Sequence, residues 1–180
     1  MTGPIAVVDA DNRFLSWADK ATIHGRRLPH RTVHILLLDS QGRMVLQQRH
    51  RDKLTWPLAW DMACCGHVER PDYPGGPDED LDAVYDDVAH REMREELGVD
   101  AELETLGHFP PEAGVHYEHL RLYLGFSDGP FSPQAEELEE IRQVTAAQYD
   151  QMAADPAITL TGALIRYVAW LRDHRGLFLP

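Results

Sequence analysis

Glu92, Glu95 and Glu96 recur at i, i+3 and i+4 within Arg91-Glu92-Met93-Arg94-Glu95-Glu96-Leu97-Gly98-Val99. On a helix that spacing puts three carboxylates on one face. At an effective dielectric of about 20, like charges roughly 5 Å apart repel by about 3 kcal/mol, so the face is costly without a counter-charge. Arg91 can supply one by pairing with Glu95 at i+4, which gives an ordinary solvated face. A hard divalent cation, Mg²⁺ or Mn²⁺, supplies a stronger one and leaves room for water and phosphate oxygens.

A second set of reactive side chains is spread along the chain. His24, His30 and His67 fall near predicted strand ends, and Glu118 opens a predicted strand that can face them. Imidazoles with a carboxylate suit a transition metal such as Mn²⁺ or Zn²⁺. The chain has ten histidines, so the bland alternative is that these are ordinary core or surface residues. Arg49, Arg51 and Lys53 precede Trp56-Pro57-Leu58-Ala59-Trp60. Cations beside bulky aromatics can line a pocket for a phosphorylated ligand, or the tryptophans can simply pack the sheet edge.

The whole chain bounds these readings. At 180 residues and 43% hydrophobic composition it suits a single α/β domain spanning 1–180. A formal charge of −13 argues against a nucleic acid polymer as partner, because neutralising a phosphate backbone takes clustered Lys and Arg. Cys64 and Cys65 are neighbours that do not satisfy disulfide geometry, so nothing suggests an oxidising compartment. With no basic, apolar leader and no apolar run of about 18 residues, the expectation is a cytoplasmic protein without a membrane partner. A homodimer is compatible with these features.

Patterning supplies the elements that must position the chemistry. Residues 5–8 and 14–17 predict an N-terminal hairpin at the sheet edge, after which Lys20–His24 leads into a basic, turn-rich passage over Gly25–His30. Residues 32–38 and 44–48, joined by Asp39-Ser40-Gln41-Gly42, predict a second hairpin. Residues 61–65 read as one short strand ending at Gly66. Arg70 to Asp80, with Pro71, Pro74, Gly75, Gly76 and Pro77, reads as an inserted loop. The carboxylate helix is expected over 80–98, with Asp80 as its cap, Gly98 as its left-handed stop, and Leu81, Val84, Tyr85, Val88, Ala89, Met93 and Leu97 as its buried stripe. Strands follow over 101–109, 118–126 and 138–144, then helices over 146–154 and 160–172.

The segment Arg91–Val99 resembles the second half of the Nudix box, Arg-Glu-apolar-any-Glu-Glu-any-Gly-apolar, at every constrained position, with Gly66 similar to the opening glycine. The resemblance implies a Nudix-type α/β/α sandwich with a mixed sheet, an N-terminal hairpin and a C-terminal helix. It also implies metal-dependent cleavage of a diphosphate linkage in a nucleotide or other small organic diphosphate. Glu92, Glu95 and Glu96 would be the ligands, Glu96 or Glu95 would orient or deprotonate water, and Arg91 would tether the helix. Arg49, Lys53 and Lys20 are the candidate phosphate contacts. The box also calls for a glutamate eight residues before the arginine; here that position is Ala83, with Asp82 beside it.

The stretches Lys20–His24, His30, Arg49–Lys53, Trp56-Pro57 and Cys65-Gly66-His67 resemble type I isopentenyl-diphosphate isomerase, another Nudix-fold family. That resemblance implies a metal at His24, His30, His67 and Glu118, and proton transfer by Cys65 and Glu118. The isomerases generally carry basic or neutral residues in place of Glu92 and Glu95, and a tryptophan in the last third, where this chain has only Trp170 within an apolar helix. The full carboxylate helix therefore favours the hydrolase. The isomerase and a non-catalytic ligand-binding module are the alternatives.

Overall fold

The computed structural model describes residues 3–180, so Met1 and Thr2 of the expected lead-in lie outside it. The axis is β3 (His30–Leu38), buried along its whole length. Its run of Val, Ile and Leu suits a strand covered on both faces. One edge of β3 runs parallel to β8 (Glu118–Phe126), from His30 opposite Glu118 to Leu38 opposite Phe126. The other edge is shared in turn by β1 (Ile5–Val8) at His30, β6 (Cys64–His67) over Thr32–Ile35, and β4 (Met44–Arg49) at Leu37 and Leu38. Around this axis β2 (Phe14–Ala18) completes the N-terminal hairpin, β5 (Trp60–Met62) and β9 (Leu138–Val144) flank β4, and β7 (Leu103–Phe109) flanks β8.

Side-chain alternation on β3 sorts two cores. Val33, Ile35 and Leu37 pack with Val84, Val88 and Ala89 of α2 (Leu81–Glu92), while Leu36 and Leu38 pack with Leu120, Leu122 and Leu124 of β8 on the opposite face. That second face is covered by α3 (Ala146–Ala154) and α4 (Gly162–Arg175), through Tyr149, Leu164, Val168 and Leu171. Each fully buried Leu, Ile or Val contributes about 1.5–3 kcal/mol, so the two layers hold the sheet between them. The result is the expected α/β/α sandwich.

Several local expectations change. The basic passage after β2 is a helix, α1 (Lys20–Arg26), because Asp19 caps it by accepting from the Thr22 amide, and Arg27 ends it at φ 51°. The strand expected over 61–65 is broken at Ala63, where the chain leaves β4 and joins β3. Asp80 does not cap α2: it sits at φ 46° and its side chain makes no cap bond. Just upstream, buried Arg31 holds the Asp78 carboxylate at 2.6 Å, the Tyr73 hydroxyl at 3.2 Å and the Pro77 carbonyl. The insertion is thus drawn onto the sheet and enters the helix through a left-handed residue. Finally, α2 passes at Met93 into a π turn, Met93–Leu97, closed by Gly98 at φ 68° as expected. Among the described residues no helix is long and apolar enough to cross a membrane.

Candidate active site

The site forms around β6, whose alternate residues face opposite layers. Cys64 and Gly66 face α2, and Cys65 and His67 face the other side. A Cβ at Gly66 would overlap the Glu92 carboxylate, so glycine is what lets the helix come this close. Glu92 is consequently desolvated, and burial together with the neighbouring Glu96 pushes its pKa up to about 8. Glu96 is 5% exposed, and burial raises its pKa too. It accepts long bonds from Gln47 Nε2 and the Cys65 amide at 3.4 Å each, and the Cys64 thiol bonds to it as well.

Glu95 is less buried than either. Its side chain, 54% exposed, pairs with Arg91 Nη1 at 3.0 Å, the same nitrogen that meets Glu92, and its charge adds to the pressure on Glu92. The trio expected on one face is therefore a buried pair and a surface carboxylate. Arg91 is the tether expected from the sequence: Nη1 also meets Glu92 at 2.9 Å, and Nη2 meets Asp72 at 3.2 Å and the His67 carbonyl at 3.4 Å. Asp72 is itself fixed by accepting the Glu69 amide at 2.7 Å.

On the other side of β6, His24, His30 and His67 gather with ring centroids 5.1–5.8 Å apart. His30 Nδ1 donates to the Leu28 carbonyl at 2.8 Å, and His24 Nδ1 pairs with the Tyr117 hydroxyl at 2.6 Å. The Nε2 atoms of His30 and His67 are buried without a partner. Burial, with the neighbouring imidazoles and Lys20, pushes the pKa of His24 down to about 4 and that of His67 well below the usual value. Burial alone would raise the pKa of Glu118, but the bond to His34 and the surrounding imidazoles hold it below the usual carboxylate range. Glu118 Oε2 lies 3.3 Å from His34 Nε2, and His34 Nδ1 lies 3.5 Å from Cys65 Sγ. Burial pushes the Cys65 thiol up, so it is neutral at ordinary pH.

Among the described residues no three His, Cys, Asp or Glu side chains already converge at coordinating distance. The donor chemistry nonetheless fits a cation on both sides. Glu92 and Glu96 form an under-compensated carboxylate pair in a cradle that a Cβ would fill, and the imidazoles present orphaned nitrogens beside a charged carboxylate.

The three predicted cations part company. Lys20, its pKa lowered by burial and by Lys53, stands between the two sides and feels Glu137, Glu69 and Glu92. Lys53 is paired with Glu137. Arg49 is committed internally, to Asp61 at 3.2 Å and to Thr55 through its carbonyl at 3.2 Å and its hydroxyl at 3.4 Å, and so braces the loop 50–58. Trp60 is buried under Arg142, whereas Trp56 is half exposed. Sequence reasoning missed Asp72, Gln47 and His34. His34 was legible as the residue two pleats on from His30, on the same face of one strand.

An α/β/α sandwich that holds a buried glutamate pair against a glycine defines a class, and sequence comparison agrees with it. The NUDIX domain model matches residues 28–164, and the chain belongs to the Nudix family. The isopentenyl-diphosphate Delta-isomerase of Streptomyces avermitilis is 35% identical over 163 residues, covering 84% of this chain and 76% of that protein. An uncharacterized Nudix hydrolase of Pseudomonas aeruginosa, PA4841, is 35% identical over 139 residues, covering 77% and 76%. The crystal structure of DR0079 from Deinococcus radiodurans superposes with a TM-score of 0.74 at 21% identity, covering 93% and 98% of the two chains, a likeness of fold.

The box also reads differently in space. Counted back from Arg91 its acidic position is Ala83, but counted forward from Gly66, past five residues, it is Asp72. Asp72 is the carboxylate that grips Arg91. The extra residues therefore lie after the acid, between Asp72 and α2.

Proposed function

We propose that the protein is a Mg²⁺- or Mn²⁺-dependent hydrolase of a small organic diphosphate. The observation that carries this reading is the burial of Glu92 and Glu96 side by side, with Glu92's pKa pushed up to about 8. Such a pair is unfavourable alone and favourable around a divalent cation. Glu92 and Glu96 would hold the cation, which when bound would neutralise the pair and the diphosphate and make water more acidic. Arg91, anchored by Asp72, fixes the direction of Glu92. Lys20 and Lys53 offer ammonium groups to the phosphate oxygens. Glu95, the more exposed of the two, shares the Arg91 guanidinium with Glu92. The test is a panel of ADP-ribose, UDP-glucose, ADP, ATP, coenzyme A and isopentenyl diphosphate with Mn²⁺, scored by phosphorus NMR. Glu96→Gln should abolish cleavage while leaving a folded protein; cleavage near the wild-type rate in that variant would eliminate the reading.

A second reading, isopentenyl-diphosphate isomerisation, is favoured by the Cys65–His34–Glu118 chain beside the imidazoles and by several isopentenyl-diphosphate isomerases among the similar proteins. Moving a double bond needs one group that gives a proton and one that takes it. Under this reading Cys65→Ala abolishes the shift of the double bond, seen by proton NMR, and spares diphosphate cleavage.

A further inference from the structure

Metal-assisted hydrolysis needs somewhere for the proton of the attacking water to go. If Glu92 and Glu96 are occupied by a cation they are poor acceptors, and Glu95 is paired with the Arg91 guanidinium. Another carboxylate is carried by the neighbouring segment. The segment before β9 is stitched to the end of the carboxylate helix: the Ser132 amide donates to the Leu97 carbonyl at 2.8 Å and the Gln134 amide to the Glu96 carbonyl at 3.1 Å. Glu137 follows at once, its own carbonyl taken by the His50 amide at 3.1 Å. Its charge acts on Glu96 and on Lys20, and so does that of Lys53. In this structure the Glu137 carboxylate is tied up by the Lys53 ammonium.

We infer that Glu137 is the proton acceptor of the hydrolytic step and that the substrate itself releases it, by drawing Lys53 away onto a phosphate oxygen. A lysine is suited to such an exchange, being a compact charge on a flexible stem, and a diphosphate is a stronger attractor than one carboxylate. The water oxygen bonds to phosphorus, the bridging P–O bond breaks and its electron pair leaves with the departing phosphate, and the water proton passes to Glu137. Without substrate the pair stays closed and the acceptor is masked. This rests on the hydrolase reading.

The test uses the full chain with Mn²⁺, the substrate panel above, and methylenediphosphonate as a diphosphate that is not cleaved. Glu137→Gln should lower kcat by about 10²–10⁴-fold, yet bind methylenediphosphonate several-fold more tightly by calorimetry, since Lys53 no longer has a rival partner. A merely structural role would weaken both. Formate should partly restore turnover in Glu137→Ala. Lys53→Met should raise KM at least tenfold with a much smaller change in kcat, and provides the test should the Glu137 variants not fold. Wild-type kcat in Glu137→Gln, or an unchanged KM in Lys53→Met, overturns the inference. If Glu137→Gln is fully active while Glu96→Gln is dead, Glu137 is not the acceptor and the hydrolase reading stands. If both are fully active, the hydrolase reading itself falls.

Discussion

The two sides of β6 are buried to similar depth and respond in opposite ways. On the α2 side burial meets acids: the pKa of Glu92 rises to about 8 because nothing in the protein fully balances its charge. On the other side burial meets bases: His24 falls to about 4, while Glu118, bonded to His34, is held below the usual carboxylate range. One side lacks positive charge and the other has lone pairs without protons. Each has donor chemistry suited to a cation by a different route, electrostatic in the first and coordinative in the second. The comparison teaches that burial alone does not mark a functional group; what marks it is burial that the surrounding protein leaves uncompensated.

The sharpest way to break the comparison is to remove one side at a time. Glu92→Gln should cost about 10³-fold or more in diphosphate cleavage and, in metal-free protein, raise the melting temperature, because a strained acid is replaced by a neutral isostere. Removing the orphaned imidazole of His67 with His67→Gln should leave cleavage within about tenfold. If the two variants lose equal activity, both sides serve one reaction centre and the division drawn here is wrong. Gly66→Ala comes next. Its new methyl must displace the Glu92 carboxylate, so the expected loss is about 1–3 kcal/mol in denaturant titration, together with most of the Mn²⁺ affinity.

How much of this was legible beforehand follows the range of the interactions involved. The sandwich and the carboxylate helix were readable because period-2 and period-3.6 patterns and the Gly98 stop are local signals. The exposure of Glu95 beside a buried Glu96 was not, since the π turn that carries both is settled by how Met93, Glu96 and Leu97 bury against the sheet. Asp72 was hidden by counting from one end of a motif that carries an insertion. Helix α1 was misread as a turn because basic residues and Gly25 outweighed the Asp19 cap. Glu137 had no local signal at all, lying more than 80 residues from the lysine it meets.

The pH dependence sharpens the comparison at moderate cost. For Glu92 the folded pKa, about 8, exceeds the ordinary 4.5, so its contribution to stability is complete below about 4.5 and is lost as pH rises toward 8. For His24 the folded pKa, about 4, lies under the ordinary 6.5, so its contribution is complete above 6.5 and is lost as pH falls toward 4. Thermal melts of metal-free protein should therefore show a weakening at each end. Mn²⁺ should restore the alkaline end most, where Glu92 would otherwise carry bare charge. A rescue that is equal at all pH values would mean the ion does not bind at Glu92.

The smallest expected effect concerns the insertion. Asp72 is part of the first turn of that segment, and its carboxylate meets Arg91 and the Glu69 amide rather than either face of β6. Asp72→Asn keeps the shape and removes the charge, so the half-buried Arg91 loses one of three carboxylates and leans toward Glu92 and Glu95. That should cost about 1 kcal/mol of stability. It should also lower kcat about five- to tenfold, through a Glu92 held in the wrong direction, with KM nearly unchanged. Asp72→Glu should recover part of the loss if the role is to grip the guanidinium. A kcat unaffected by Asp72→Asn would show that Arg91 is set by the helix alone, and that the insertion serves the N-terminal hairpin and Arg31 rather than the carboxylate side.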